Sequence, residues 1–255
     1  MNLYQVAYHH ATPHGVVSAV HIPDSREPVP DDILASLPSE EAAHAKTLRG
    51  YRQVQYVGGR IALRQACGQV GVRPGVLRAT DRGAPVLPAG YTGSISHKRT
   101  LAVGMVARSG LGTLGVDLED YGPPRLRIIE HVLTEAECAE LAPLPDDRRW
   151  IALLMRFSIK ESIYKALDPY VGRYVGFHEA EVRPDLHGDA EVTLNLKNGE
   201  GPFEVRARYE WLWGRLLTSV RIRPTTRGTP CAAPSREASP TDADDPSDAP
   251  SHTDS

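Results

Sequence analysis

Cysteine is scarce in this chain, with three among 255 residues, Cys67, Cys138 and Cys231. They are far apart in sequence, which excludes a disulfide framework and a knuckle-type metal site and points to a reducing compartment. Long apolar runs are missing too, and none approaches the roughly 18 residues that a membrane-spanning helix needs. The opening residues MNLYQVAYHHATPHG lack a basic segment followed by an apolar one, so no secretory signal is expected. Neither sign of charge dominates: 29 Lys and Arg stand against 32 Asp and Glu, for a net charge of −3. That balance supplies no whole-protein attraction to nucleic acid. No Gly-flanked serine elbow with separate His and Asp partners is present, which argues against a hydrolase triad. The expected protein is cytoplasmic, with neither nucleic acid nor membrane as a partner.

From about Pro224 onward the chain contains no Val, Ile, Leu, Met, Phe, Tyr or Trp. Such a segment cannot bury enough apolar surface to offset its ordering entropy, so residues 224–255 are expected to form a disordered tail. After Arg236 the tail holds no Lys or Arg, while Glu237, Asp242, Asp244, Asp245, Asp248 and Asp254 accumulate. The acidity of the chain sits there, and the rest is near neutral or mildly basic.

What remains is ordinary globular material, 41% hydrophobic and 24% charged. HGVVSAVHI reads as a strand. Residues 39–71 read as one helix, with Ser39 as N-cap, Gly71 as stop and Gly58-Gly59 marking a kink or close packing. GSISHKRTLAVGMVAR and GTLGVDLED read as short strands. A second helical region covers about 134–142 and 147–168, opened by a capping box in TEAE. AEVTLNL, FEVRARYEW and RLLTSVRI, separated by Asn198-Gly199 and Trp213-Gly214, read as an antiparallel meander. Each half thus offers one long helix and a small, mainly antiparallel sheet. The expected fold is α+β, with two similarly built lobes at 1–114 and 115–223, although no clear repeat is visible.

Three clusters could carry chemistry. On a strand, Asp117 and Glu119 of GVDLED share one face, while Val116 and Leu118 face the core. Paired carboxylates suit Mg²⁺, but the pattern is very common and, taken alone, a solvated strand end is the plainer explanation. In FSIKESIYKAL, Glu161 and Lys165 lie on one helical face, with Lys160 about 100° round. A surface ion pair is the plain explanation, but the neighbouring WIALLM, Phe157, Ile163 and Leu167 indicate a buried helix, where unpaired charge is costly. Arg52 and Arg60 project to one side of the first long helix, extended by Arg49 and Arg64, as a phosphate cradle or a solvated basic face. GSISHK adds Ser94, Ser96, His97 and Lys98 beside a strand.

In this order the residues resemble the 4′-phosphopantetheinyl transferases, of the Sfp-like superfamily and its EntD-type branch. GVDLE (115–119) resembles the family's G-(V/I)-D-x-E strand. FSIKESIYK (157–165) resembles its (W/F)-x-x-K-E-(S/A)-x-x-K helix. YRQVQYVGGRIALRQA, RGAPVLPAGYTGSISH and KALDPYVGRYVGFHEAEV extend the likeness over about residues 45–185. The resemblance implies a pseudo-two-fold enzyme, acting as a monomer. It would move 4′-phosphopantetheine from coenzyme A to a serine of an apo acyl or peptidyl carrier protein, releasing adenosine 3′,5′-bisphosphate. It implies Mg²⁺, with Mn²⁺ as the alternative, on Asp117, Glu119 and Glu161. Lys160 and Lys165 would stand at the pyrophosphate, with Glu161, Lys165 and Lys160 as the catalytic group. Ser96 and His97, with Arg52 and Arg60, would hold coenzyme A. Many Sfp-type members have Lys in a G-K-P segment where this chain has Ala84, and the basic role passes to Arg82. A catalytically silent coenzyme A or nucleotide-binding module and a Mg²⁺-dependent phosphohydrolase are the competing readings. A basic docking surface for an acidic carrier is expected among Arg125, Arg127, Arg148 and Arg149.

Overall fold

The computed structural model describes residues 3–225 of the chain. The first half supplies strands β1 (Val6–Thr12), β2 (Gly15–His21), β3 (Tyr91–His97) and β4 (Leu101–Arg108). They form an antiparallel sheet in the order β1-β2-β4-β3. Helices α1 (Asp31–Leu34), α2 (Ser39–Thr47) and α3 (Gly50–Gln69) lie between β2 and β3 in the chain. The second half supplies β5 (Thr113–Asp120), β6 (Ala180–Pro184), β7 (Asp189–Leu194), β8 (Phe203–Leu212) and β9 (Arg215–Pro224), in the order β5-β9-β8-β7-β6. Helices α4 (Ile129–Val132), α5 (Glu135–Leu141) and α6 (Asp146–Val171) connect β5 to β6. The tail expected at 224–255 lies, from residue 226 on, outside the described residues. Pro224 itself belongs to β9, and Thr225 donates its N–H to Pro202 O.

Each long helix covers one face of one sheet. Val54, Val57, Ile61 and Ala62 of α3 bury against Val20, Ile22 and Ala102. Ile159, Ile163, Ala166 and Leu167 of α6 bury against Val182, Ala207, Val220 and Ile222. The opposite faces meet each other, Val17, Ala19, Leu101, Val103 and Met105 packing on Leu114, Val116, Leu118 and Leu217. Burying each such side chain is worth about 1.5–3 kcal/mol, so this continuous interior holds both halves together.

The expected single helix over 39–71 is two. Leu48 and Arg49 are extended, and α3 restarts at Gly50 with φ +57°. Pro38, not Ser39, occupies the cap position of α2, without a side-chain bond. α3 runs unbroken through Gly58 and Gly59, where a Cβ would stand 2.3 Å from Ile22 Cγ2 and 2.7 Å from Ile95 Cγ2. They are points of close approach of the helix, as is Leu63 over Gly104 of β4. The capping box is present: Thr134 Oγ1 accepts from Glu137 N–H, and Glu137 Oε2 accepts from Thr134 N–H. Trp213 and Gly214 both take positive φ and close the β8–β9 hairpin, whereas Asn198-Gly199 sits in the longer β7–β8 connection. β1 and β6 received no assignment from sequence.

Candidate active site

The glycine of GVDLE decides how the two motifs meet. A Cβ at Gly115 would stand 1.9 Å from Ser162 O, so only glycine lets the α6 backbone lie on β5 there. Since alternate strand residues share a face, Asp117 and Glu119 also point toward α6 and its Glu161. β3 and β5 are each sheet-edge strands, and Ser94 and Ser96 join them. Ser94 Oγ accepts from Val116 N–H at 3.1 Å, and Ser96 Oγ accepts from Leu118 N–H at 3.3 Å. The hydroxyls stand where ladder carbonyls would, which satisfies buried N–H groups and fixes β5 in register.

Asp117 is the hub. Its Oδ1 accepts from Ser96 Oγ at 2.8 Å and Lys165 Nζ at 2.9 Å, and its Oδ2 accepts from Ser158 Oγ at 2.8 Å. Lys165 also donates to Val116 O at 2.9 Å. Glu119 is buried and takes Lys98 Nζ at 2.6 Å, with Arg125 at 3.8 Å. Burial pushes the Glu119 carboxyl up, Asp117 adds to it, and Lys98 and Arg125 oppose it. Glu161 is half-buried, and burial followed by Asp117 likewise raises its pKa against Lys165 and Lys98. It has no hydrogen-bond partner among the described residues. His97 is exposed at the wall, yet crowding by the surrounding protein disfavours its imidazolium, with Lys165 and Lys98 adding to that.

A cleft of about 940 Å³ runs from these groups to the first half. Glu161, Lys165, His97, Arg52, Arg60 and Arg82 all line it. Arg60 is 5% exposed; it donates to Leu77 O at 2.7 Å and lies over the Tyr56 ring at 5.0 Å, with no carboxylate partner among the described residues. Arg52 is exposed, and Arg82 reaches Asp168 of α6. Arg64, expected to extend the basic strip, is used otherwise: it binds Glu41 and the carbonyls of Pro74 and Gly75.

Two expected site residues are elsewhere. Lys160 is fully buried on the other side of α6, donating to Glu137 Oε2 at 2.6 Å and Val132 O at 2.8 Å. The 100° between it and Glu161 takes it out of the cleft and into the packing of α5. Ser96 is buried and spends its hydroxyl on Asp117 and Leu118, not on the cleft wall. Sequence reading passed over Ser158, which holds Asp117, and gave no site role to Lys98, which holds Glu119. Both lie within or beside the quoted motifs. Among the docking candidates, Arg149 is tied to the carbonyls of Leu141, Ala142 and Leu144.

Asp117, Glu119 and Glu161 offer oxygen donors only, and the Glu119 and Glu161 carboxyls are raised chiefly by burial, with Asp117 adding to it. That chemistry fits a hard divalent cation. Among the described residues, no three His, Cys, Asp or Glu groups are gathered closely enough to count as a complete metal site. Nor, among them, is any helix long and apolar enough to cross a membrane.

Residues 39–107 match the family described as 4′-phosphopantetheinyl transferase N-terminal domain, and residues 113–219 match the 4′-phosphopantetheinyl transferase superfamily. Similar curated proteins include 4′-phosphopantetheinyl transferase Svp of Streptomyces mobaraensis, 37% identical over 160 residues, covering 61% of this chain and 64% of that one. 4′-Phosphopantetheinyl transferase Npt of Nocardia iowensis is 30% identical over 184 residues, covering 68% and 75%. Enterobactin synthase component D of Salmonella typhimurium is 34% identical over 145 residues, covering 51% and 54%. The matched segments therefore span from about half to three quarters of these relatives' lengths.

Proposed function

The chain belongs to the 4′-phosphopantetheinyl transferase superfamily, and on that premise we propose that it transfers 4′-phosphopantetheine from coenzyme A to a serine of an apo carrier protein. One observation carries the reading: a single cleft brings Glu161 and Lys165, beside the buried Asp117, together with Arg52, Arg60 and Arg82. Acids at one end and phosphate-matching guanidiniums at the other suit a substrate with a reacting pyrophosphate and a further phosphate.

Asp117, Glu119 and Glu161 would hold Mg²⁺, which when bound neutralises charge on the pyrophosphate. Arg52, Arg60, Arg82 and His97 grip the nucleotide end and orient the scissile bond. The carrier serine oxygen attacks the phosphorus next to pantetheine, and the bond from that phosphorus to the adenosine bisphosphate oxygen breaks. Glu161, which lines the cleft without a competing hydrogen bond among the described residues, takes the serine proton. Lys165, held at 2.9 Å from Asp117, donates to the departing oxygen. Lys160 has no part in this step and acts through the fold. Both walls of the cleft come from one chain, which supports a monomer as the working unit, and nothing in the cleft selects among carriers of different pathways.

Incubating the protein with coenzyme A, Mg²⁺ and an apo carrier, then weighing products, separates the readings. Transfer adds about 340 Da to the carrier, the mass of the arm. Free phosphopantetheine with an unmodified carrier would favour a phosphohydrolase instead, and binding without turnover would favour a silent module.

A further inference from the structure

The described chain buries four cationic side chains: Arg60, Arg156, Lys160 and Arg221. Arg156 and Lys160 have glutamate partners, Glu140 and Glu137. Arg60 has none and faces the cleft, where a phosphate is expected. Arg221 shows the same signature in a different place. It is 5% exposed, its one hydrogen bond is Nη2 to Arg108 O at 2.8 Å, and its Nη1 is buried without a partner among the described residues. A buried guanidinium without a counter-charge is costly, and an orphaned donor adds to that cost.

Its neighbours have the same chemistry. Thr218, Val220 and Ile222 of β9 face α6, so the alternate residues Ser219 and Arg221 face away from it. Arg208 stands opposite Ser219 in the β8–β9 register. It uses Nη1 on Asp189 at 2.6 Å, while its Nε is also buried and unpartnered. His14, 7% exposed on the β1–β2 turn, stands against Ser219 Oγ with its Nδ1 at 3.0 Å. Arg208 and Arg221 thus flank one serine, each with a free N–H. The single carboxylate among these contacts is taken by Arg208.

We propose that Arg221, Arg208 and His14 form an oxyanion site on the side of the second sheet away from α6, taking a phosphate or carboxylate group between the two unpartnered guanidinium nitrogens. Planar N–H donors of this kind match such anions well. Entry is from the Arg208 side, where the side chain is 25% exposed. The site is separate from the cleft and independent of the reaction proposed for it. Free phosphate has the required chemistry.

The test is thermal unfolding of the full chain in potassium phosphate against potassium chloride of equal ionic strength. Phosphate at tenfold over its Kd should raise Tm by about 3–5 °C in a chain of this size. Arg221→Met should remove more than half of that rise, Arg208→Met should reduce it, and Arg52→Ala in the cleft should leave the Arg221-dependent part intact. In chloride, Arg221→Met should unfold no earlier than wild type, since an unpaired buried cation is replaced by an apolar side chain of similar length. A rise that survives Arg221→Met and Arg208→Met, or no Arg221-dependent rise in wild type, overturns the proposal.

Discussion

Replacing Lys160 by alanine should unfold this protein more readily without touching the chemistry of the cleft. The Lys160 ammonium is sealed from solvent and donates to Glu137 Oε2 at 2.6 Å. Burial alone disfavours its charged form, and Glu137 works against that. Glu137 in turn accepts from Thr134 N–H at 2.8 Å and Val182 N–H at 2.8 Å, linking the start of α5 to β6. Its next cation, Arg156, is 4.0 Å away. Removing the lysine leaves a buried carboxylate without its close counter-charge, at a cost of about 3–5 kcal/mol. For a chain of this size that is a fall in Tm of about 6–20 °C. The double variant Lys160→Met with Glu137→Gln removes both charges and should recover much of the loss. Lys165→Ala should behave differently: its side chain is 29% exposed at the cleft, where water can replace the ammonium, and Asp117 keeps Ser96 and Ser158, so Tm should fall by less while turnover collapses. Calorimetry and steady-state kinetics with coenzyme A on all three variants make the comparison. A Lys160→Ala protein with unchanged Tm and lost turnover would refute the structural role and return Lys160 to the pyrophosphate.

Other consequences follow from the same contacts. Gly115→Ala puts a Cβ 1.9 Å from Ser162 O; α6 must shift, at a cost of about 1–3 kcal/mol or more, and an unchanged Tm would contradict the packing described. Ser96→Ala frees Asp117 of one donor and should lower kcat about tenfold with little change in KM for coenzyme A, Ser96→Thr restoring it; a KM effect alone would mean that Ser96 touches the substrate. Burial holds His14 down to about 4 from an ordinary 6.5, against its bond to Ser219. The unfolded chain then takes a proton that the native one refuses, so stability is lost as pH falls from 6.5 towards 4, by up to about 3 kcal/mol. In chloride buffer His14→Asn should flatten that part of the Tm–pH curve, and parallel curves would sink the assignment.

The sequence made the two motifs and their helix and strand legible because glycine, acids and lysines sit at spacings that periodicity can place. It could not tell which side of α6 faces the cleft. Lys160 and Glu161 are adjacent, and only Glu137, 23 positions earlier in the chain, settles that the lysine belongs to the interior. Ser96 was misplaced for a similar reason, since its partner Asp117 is brought in by the contact of two sheet edges. β1 escaped notice because VAYHHAT carries two histidines and little apolar alternation; its pairing with β2, from Val6 opposite Val20 to Thr12 opposite Gly15, makes it a strand. The break at Leu48–Arg49 gave no propensity signal, whereas Gly58-Gly59 did, and the glycines turned out to serve close packing.

The central claim is that Glu161, on the cleft wall with Lys165, stands at the reacting bond and takes the serine proton. The most direct measurement is the initial rate of carrier-protein modification by Glu161→Gln beside wild type at saturating coenzyme A, with coenzyme A affinity measured by calorimetry. A fall of about 10²-fold or more, with coenzyme A still bound by the arginines, is the predicted result. Unchanged turnover in Glu161→Gln would contradict it.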